Sequence, residues 1–282
     1  MEGLWRLGRF AIIAAALAWL CIVAALWLFQ RNLLYMAPRN PPGPPPPGYS
    51  AVSLTTEDGL LLLAWYRPAM PGRPTIVFYS AQGANLPASA DWTQGFAGAG
   101  MGLLLVSFRG FDGNPGSPTE EGLYRDGRAA LAWLAGRSVD RPVLMGLSLG
   151  TGTAARMALE AATRPANFPA ASHPLALVLL APYRSITELA AARYPFAPVR
   201  LLIKDRFDTE SIIGGIHMPL LIAHGDADEQ IPFAHGEAVF AAAPKPKLFL
   251  TLQSAGHNFP ADLILPELER FLASIDGAKT AP

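Results

Sequence analysis

The sequence is poor in cysteine, with Cys21 the only one in 282 residues. That excludes a disulfide framework, a thiolate zinc site and a thiol nucleophile in the chain beyond the apolar N-terminal segment. It leaves the redox compartment open. Charge is also sparse. Asp, Glu, Lys and Arg make up 16% of the residues, and 22 acidic side chains balance 22 basic ones. No basic block disturbs that balance, so the electrostatic footprint of a nucleic-acid-binding protein is absent. Five histidines are present. No spacing among them calls for a metal, and no motif calls for an organic cofactor.

Apolar side chains are what the chain has in excess, at 51%. Phe10 to Phe29 is an uncharged run of 20 residues. As a helix it would measure about 30 Å, the hydrocarbon thickness of a bilayer. A cleaved signal peptide has an apolar core of roughly 7–15 residues and a small-residue cleavage site, and Leu33-Leu34-Tyr35-Met36 offers none. A buried core helix would carry a polar stripe, which this run lacks. Residues 10–29 therefore read as an uncleaved transmembrane signal anchor behind a basic flank at 1–9. Arg6 and Arg9 nearly balance Arg31 and Arg39; the expected orientation is N-terminus inside, domain on the exported (periplasmic or extracytoplasmic) side. Residues 38–48 are mostly proline and predict a semi-rigid polyproline linker that holds the folded domain off the membrane.

Residues 49–275 alternate strand and helix patterns, and 276–282 read as a tail. Ala51–Leu54 and Leu60–Tyr66 flank a turn at Glu57-Asp58-Gly59. Buried strands follow at Thr75–Ser80, Leu103–Phe108 and Val143–Met145, and further strands at Leu175–Leu180, Leu220–Ala223 and Lys247–Thr251. Helices are predicted over Ala88–Ala97, Glu120–Ala135, Ala154–Ala162, Phe233–Ala242 and Leu263–Ala273. This pattern predicts a mostly parallel sheet covered on both faces, with ligands bound beyond the carboxyl ends of its strands.

At one such end stands Gly146-Leu147-Ser148-Leu149-Gly150, a G-x-S-x-G between a strand and a helix. Such an elbow lifts the serine hydroxyl above the sheet, and Ser148 is the candidate nucleophile. A serine needs a base, and the base needs a third group to hold it. Behind an elbow of this kind the acid and then the histidine follow in the chain. His257, in Ser254-Ala-Gly-His-Asn258, lies beyond the last strand and is the candidate base. The acid should follow Pro219–Ala223, where His224-Gly-Asp-Ala-Asp-Glu-Gln-Ile-Pro232 offers Asp228, Asp226 and Glu229, in that order of preference. His224 reads as a structural histidine of that loop; His173, His217 and His235 carry no motif. The oxyanion donors should be the N–H groups of Leu149 and, in Ala81-Gln82-Gly83, of Gln82. Residues 183–216 lie between two strands and should form a short cap. Its Leu189, Tyr194, Phe196, Leu201, Leu202 and Ile203 could line an apolar acyl pocket or simply pack the cap.

Together these residues resemble the α/β-hydrolase superfamily, specifically its single-span, membrane-anchored subgroup named for a bud-emergence hydrolase and related to eukaryotic protein depalmitoylases. The likeness covers Arg31 to Ala273. Its most specific pieces are Phe108-Arg-Gly-Phe-Asp-Gly-Asn-Pro-Gly-Ser-Pro-Thr-Glu-Glu-Gly-Leu-Tyr124, Gly146-Leu-Ser-Leu-Gly150, Tyr194-Pro-Phe-Ala-Pro-Val-Arg200, His224-Gly-Asp-Ala-Asp228 and Gly256-His-Asn258. The resemblance implies an α/β-hydrolase fold behind one transmembrane helix and a serine hydrolase that cleaves a carboxylic ester or thioester. It implies Asp228 as the acid, since that is the last residue of H-G-x-x-D, and Arg109 as scaffold. Where the subgroup usually carries H-G-N, this chain has Ser80-Ala81-Gln82. Two other functions compete: amide or peptide-bond cleavage of an aminopeptidase-like kind on the same side chains, and a non-catalytic hydrolase-fold binding module. Expected partners are a small-molecule or acylated substrate and, through the N-terminal helix, the lipid bilayer. Nothing signals an oligomeric state.

Overall fold

The computed structural model of the protein describes residues 2–137, 141–164 and 173–280. Met1 of the basic flank and residues 281–282 of the tail lie outside them. One sheet contains β1 (Ser50–Thr55), β2 (Leu61–Arg67), β3 (Thr75–Tyr79), β4 (Gly102–Val106), β5 (Val143–Leu147), β6 (Ala176–Leu180), β7 (Leu220–Gly225) and β8 (Lys247–Leu252). Their order is β1-β2-β4-β3-β5-β6-β7-β8. The pairs β1/β2 and β2/β4 are antiparallel, and every later pair is parallel. Strands β3, β4, β6 and β7 are buried along their whole length, which is why they read as unbroken apolar runs without alternation.

The helices, in chain order, are α1 (Glu2–Tyr35), α2 (Leu86–Trp92), α3 (Gln94–Gly98), α4 (Glu120–Ala135), α5 (Gly150–Thr163), α6 (Ile186–Arg193), α7 (Val199–Leu202), α8 (Thr209–Ile213), α9 (Phe233–Ala242) and α10 (Leu265–Thr280). Leu123, Leu131, Met157 and Val239 carry α4, α5 and α9 onto one sheet face. Leu86, Phe96, Leu268 and Phe271 carry α2, α3 and α10 onto the other. The sheet is thus sandwiched as its unbroken apolar strands require. Glu160 of α5 is buried and accepts from Arg128 of α4 and Arg156 of its own helix at 2.8 Å each, which pins α4 to α5.

Several boundaries differ from the sequence reading. The helix expected over Ala88–Ala97 is two, because the Thr93 hydroxyl donates back to Ser89 O at 2.8 Å and ends the first. The elbow helix starts at Gly150, not Ala154. Leu149 already has helical backbone angles, and packing overrides the poor helix propensity of two early glycines. The last helix begins at Leu265 behind a 3-10 turn over Ala261–Leu263, with Pro266 in its first turn, where a missing N–H costs nothing.

Helix α1 extends past the predicted span at both ends and is long and apolar enough to cross a membrane. Trp5, Phe10, Ile12 and Leu28 are all more than half exposed, so it is not a core helix; Val23 and Tyr35 are its buried residues. Its C-terminal half lies against residues 183–216, the predicted cap. Trp19 Nε1 donates to Phe196 O at 3.0 Å, Gln30 Nε2 to Leu202 O at 3.3 Å, and Lys204 N to Gln30 Oε1 at 2.8 Å. Pro38 O accepts from the Asp112 N–H at 2.7 Å. Residues 38–48 therefore do not hold the domain away from the helix. The polar residues that end the apolar run find partners on the cap, and the proline-rich segment turns back along the domain.

Candidate active site

Strand β5 runs into α5 through Ser148, whose φ of 50° is in the left-handed region that costs a non-glycine residue energy. The surroundings hold it there. Ser148 N–H donates to Leu180 O at 2.9 Å, Thr151 Oγ1 donates to Ser148 O at 2.6 Å, and Tyr183 Oη donates to Leu149 O at 3.1 Å. The flanking glycines are required by close approach. A Cβ on Gly146 would lie 2.6 Å from Thr151 Cα, and one on Gly150 would overlap the carbonyls of Tyr79 and Ser80. The hydroxyl ends up at the carboxyl edge of the sheet.

Three of the predicted side chains meet there. His257 Nε2 lies 3.1 Å from Ser148 Oγ, and His257 Nδ1 lies 2.7 Å from Asp228 Oδ2. Asp228 is buried, and burial would raise its pKa. Hydrogen bonds from His224, His257 and the Ile231 N–H outweigh that effect and hold the carboxyl well below the ordinary carboxylate range. An ionised carboxylate only accepts, so His257 Nδ1 carries the proton and its Nε2 lone pair faces the serine hydroxyl. The tautomer follows from the carboxylate.

The other oxygen, Asp228 Oδ1, accepts from the N–H groups of Gln230 and Ile231 at 2.9 and 2.8 Å. His224 is fully buried beside it, with Nε2 2.9 Å from Ile231 O and 3.4 Å from Asp228 Oδ2. A carbonyl accepts, so His224 Nε2 carries its proton and the ring fastens the loop. The two alternative acids are placed elsewhere: Asp226 Oδ1 accepts from the Ser254 N–H at 2.7 Å, and Glu229 is exposed. Arg109 bridges buried Asp126 on α4 to Asp58 in the β1–β2 turn, with Nε–Oδ1 and Nη1–Oδ2 distances of 2.8 Å each.

Leu149 and Gln82 follow β5 and β3, on adjacent strands of the sheet. Among the described residues, neither N–H donates to a backbone acceptor. The Gln82 loop is tied to the end of α1: Gly83 N–H donates to Tyr35 O at 3.1 Å, and Gln82 Nε2 lies 3.6 Å from Met36 Sδ. The Gly83–Tyr35 bond has no sequence signature, since it uses main-chain atoms. On the other side, Asp112 accepts from Leu86 N–H and, at 2.7 Å, from Ser107 Oγ, bracing the start of α2.

A cavity of about 660 Å³ opens between α1 and the cap. Leu189, Tyr194, Leu202 and Ile203 line it, whereas Phe196 and Leu201 are exposed. Ser148 and His257 are not in its wall; it approaches them at Gln82 on one side and Glu229-Gln230 on the other.

No family model matches the chain. Individual proteins do. An uncharacterized protein of Mycobacterium tuberculosis is 34% identical over 267 residues, covering 89% of this chain and 90% of the relative. The Arabidopsis thaliana alpha/beta hydrolase domain-containing protein WAV2 is 26% identical over 250 residues, covering 78% of each. Human protein ABHD12B is 32% identical over 199 residues, covering 64% of this chain and 52% of the human protein. Among solved structures, an acetyl xylan esterase from a Paenibacillus species superposes with a TM-score of 0.63 at 19% identity, covering 89% of this chain and 93% of the other. Est1E from Butyrivibrio proteoclasticus gives 0.62 at 18%, covering 80% and 100%. The sheet order, the elbow and these relatives together define the class: the chain belongs to the α/β-hydrolase superfamily.

Proposed function

We propose that this chain is a membrane-anchored serine hydrolase that cleaves a carboxylic ester or thioester through an acyl-enzyme. One observation carries the reading: Ser148 Oγ, the His257 ring and the Asp228 carboxylate stand in line at 3.1 and 2.7 Å. Ser148 Oγ attacks the acyl carbon while its proton passes to His257 Nε2. Asp228 holds the ring in the required tautomer and stabilises the imidazolium. The N–H groups of Leu149 and Gln82 receive the charge that develops on the carbonyl oxygen. Collapse of the tetrahedral intermediate breaks the bond to the alcohol or thiol, which leaves with the proton from His257. Water then attacks the acyl-serine, with the same imidazole as base, and the carboxylic acid is released.

The anchor is α1, placed with the domain on the exported side. With it goes the proposed organisation: a hydrolase domain over 49–275, a cap over 183–216, and membership of the membrane-anchored subgroup. The largely apolar cavity beside the site suits an acyl group.

The test is hydrolysis of p-nitrophenyl esters, acetate through palmitate, by the full-length protein in detergent. Wild type should turn over, and Ser148→Ala should lose about 10⁴-fold or more in rate. Equal rates in the two proteins would remove Ser148 from the mechanism.

A further inference from the structure

Helix α1 is docked on the cap as well as being apolar. Val23, Leu26, Gln30 and Leu34 recur at helical spacing, face the cavity, and form one of its walls opposite Leu189 and Leu202. From Val23 to Leu34 this wall runs about 16 Å along the helix. Its lower end is fastened by Arg31 to buried Asp205 at 2.8 Å, and by Tyr35 O to the Gly83 N–H. The cavity and the loop bearing Gln82 therefore both depend on the helix.

The contact at Trp19 gives the level of this assembly. Trp19 is the tenth residue of the uncharged run that begins at Phe10, and it bonds the cap at Phe196 O. With that run across a bilayer, the cap reaches about 15 Å of helix inward from Phe29. Phe196 and Leu201, 51% and 83% exposed, are apolar side chains on the cap that are left to meet lipid. Lys204, with Nζ 4.0 Å over the Trp27 ring, has the amphipathic reach of a residue at the interface.

We propose that residues 23–34 of α1 are part of the substrate site, so that the acyl chain of a bilayer-resident amphiphile lies between the membrane helix and the cap. The chain enters sideways from the lipid phase and its carbonyl end reaches Gln82 and Ser148. What happens to that carbonyl rests on the hydrolase reading; the binding does not.

The test is photo-crosslinking of a diazirine-bearing palmitate to the full-length protein in phosphatidylcholine vesicles, with the adducts mapped to peptides. Ser148→Ala is used alongside wild type, because crosslinking needs no turnover. Adducts are expected on both walls, residues 23–34 and 186–203, and excess palmitate should compete them where butyrate does not. Leu26→Trp and, from the opposite wall, Leu189→Trp should each cut the competed signal at least tenfold; the cavity has room for either ring without unfolding the cap. Adducts confined to Leu17 and Leu20, exposed residues of α1 outside both walls, and uncompeted by palmitate would overturn the proposal. Ester turnover by the same wild-type vesicles is measured in parallel. Turnover without competed adducts sinks this inference alone, and competed adducts without turnover sink the hydrolase reading alone.

Discussion

Arg31, two residues past the apolar run, holds the carboxylate of Asp205 at 2.8 and 3.2 Å, and the same Asp205 Oδ1 accepts from the Glu120 N–H at 3.1 Å. The long apolar helix α1, residues 183–216 and α4 meet at one buried carboxylate. Asp205→Ala strips Arg31 of its partner and leaves the N-terminus of α4 with an unsatisfied donor. Because Arg31 is partly exposed, solvent recovers some of the loss, and the expected cost is about 1–2 kcal/mol. Thermal unfolding of the full-length protein in detergent measures it. An unchanged Tm would mean that α1 does not dock on the cap.

Asp228→Asn should leave the fold intact and lower kcat by about 10⁴-fold, because an amide no longer selects the Nδ1–H tautomer of His257. The comparison variant is Asp226→Asn. The Asp226 carboxylate accepts from the Ser254 N–H, away from His257, so its loss should leave kcat within a few fold. Steady-state ester hydrolysis separates them, and the reverse ranking would move the acid to Asp226.

The pH profile follows from the direction of the Asp228 shift. Its carboxyl titrates below the ordinary range, so it remains ionised across every pH at which the enzyme is assayed. Asp228 should then add no limb of its own to kcat/KM, whose acid side should fall with a slope no steeper than one. In stability the sign is the usual one for a depressed carboxyl. The contribution is complete above the unfolded pKa of about 4 and is lost as pH falls toward the lower folded value. An acid limb with a slope of two, or one that moves with Asp226→Asn, would contradict this.

Gly150→Ala tests the elbow. The added methyl overlaps the carbonyls of Tyr79 and Ser80, and such overpacking costs about 1–3 kcal/mol, often more against backbone. Loss of both Tm and activity is expected. Gly98→Ala is the control, since a Cβ there meets nothing within 4 Å.

The strands and most helices were legible because buried parallel strands announce themselves as short apolar runs between turn residues. Ser148, His257 and the acidic loop were legible because each sits in a local motif just past a strand. The choice of Asp228 over Asp226 was not settled by spacing. In the structure it is a matter of aim, Asp226 toward Ser254 N–H and Asp228 toward His257. The break at Thr93 depends on one hydroxyl bonding backward, which no hydrophobic period records. The docking of α1 was also hidden, since a hydropathy run gives length and charge but not which face meets protein. The one hint was Gln30-Arg31 directly after the run, polar groups in need of partners.

The most direct measurement is mass-spectrometric mapping of a fluorophosphonate adduct on the full-length protein. A single adduct on the peptide that carries Ser148, lost in Ser148→Ala and formed far more slowly in His257→Ala, is the expected result. No adduct, or one on another serine, would contradict the assignment of Ser148 as nucleophile.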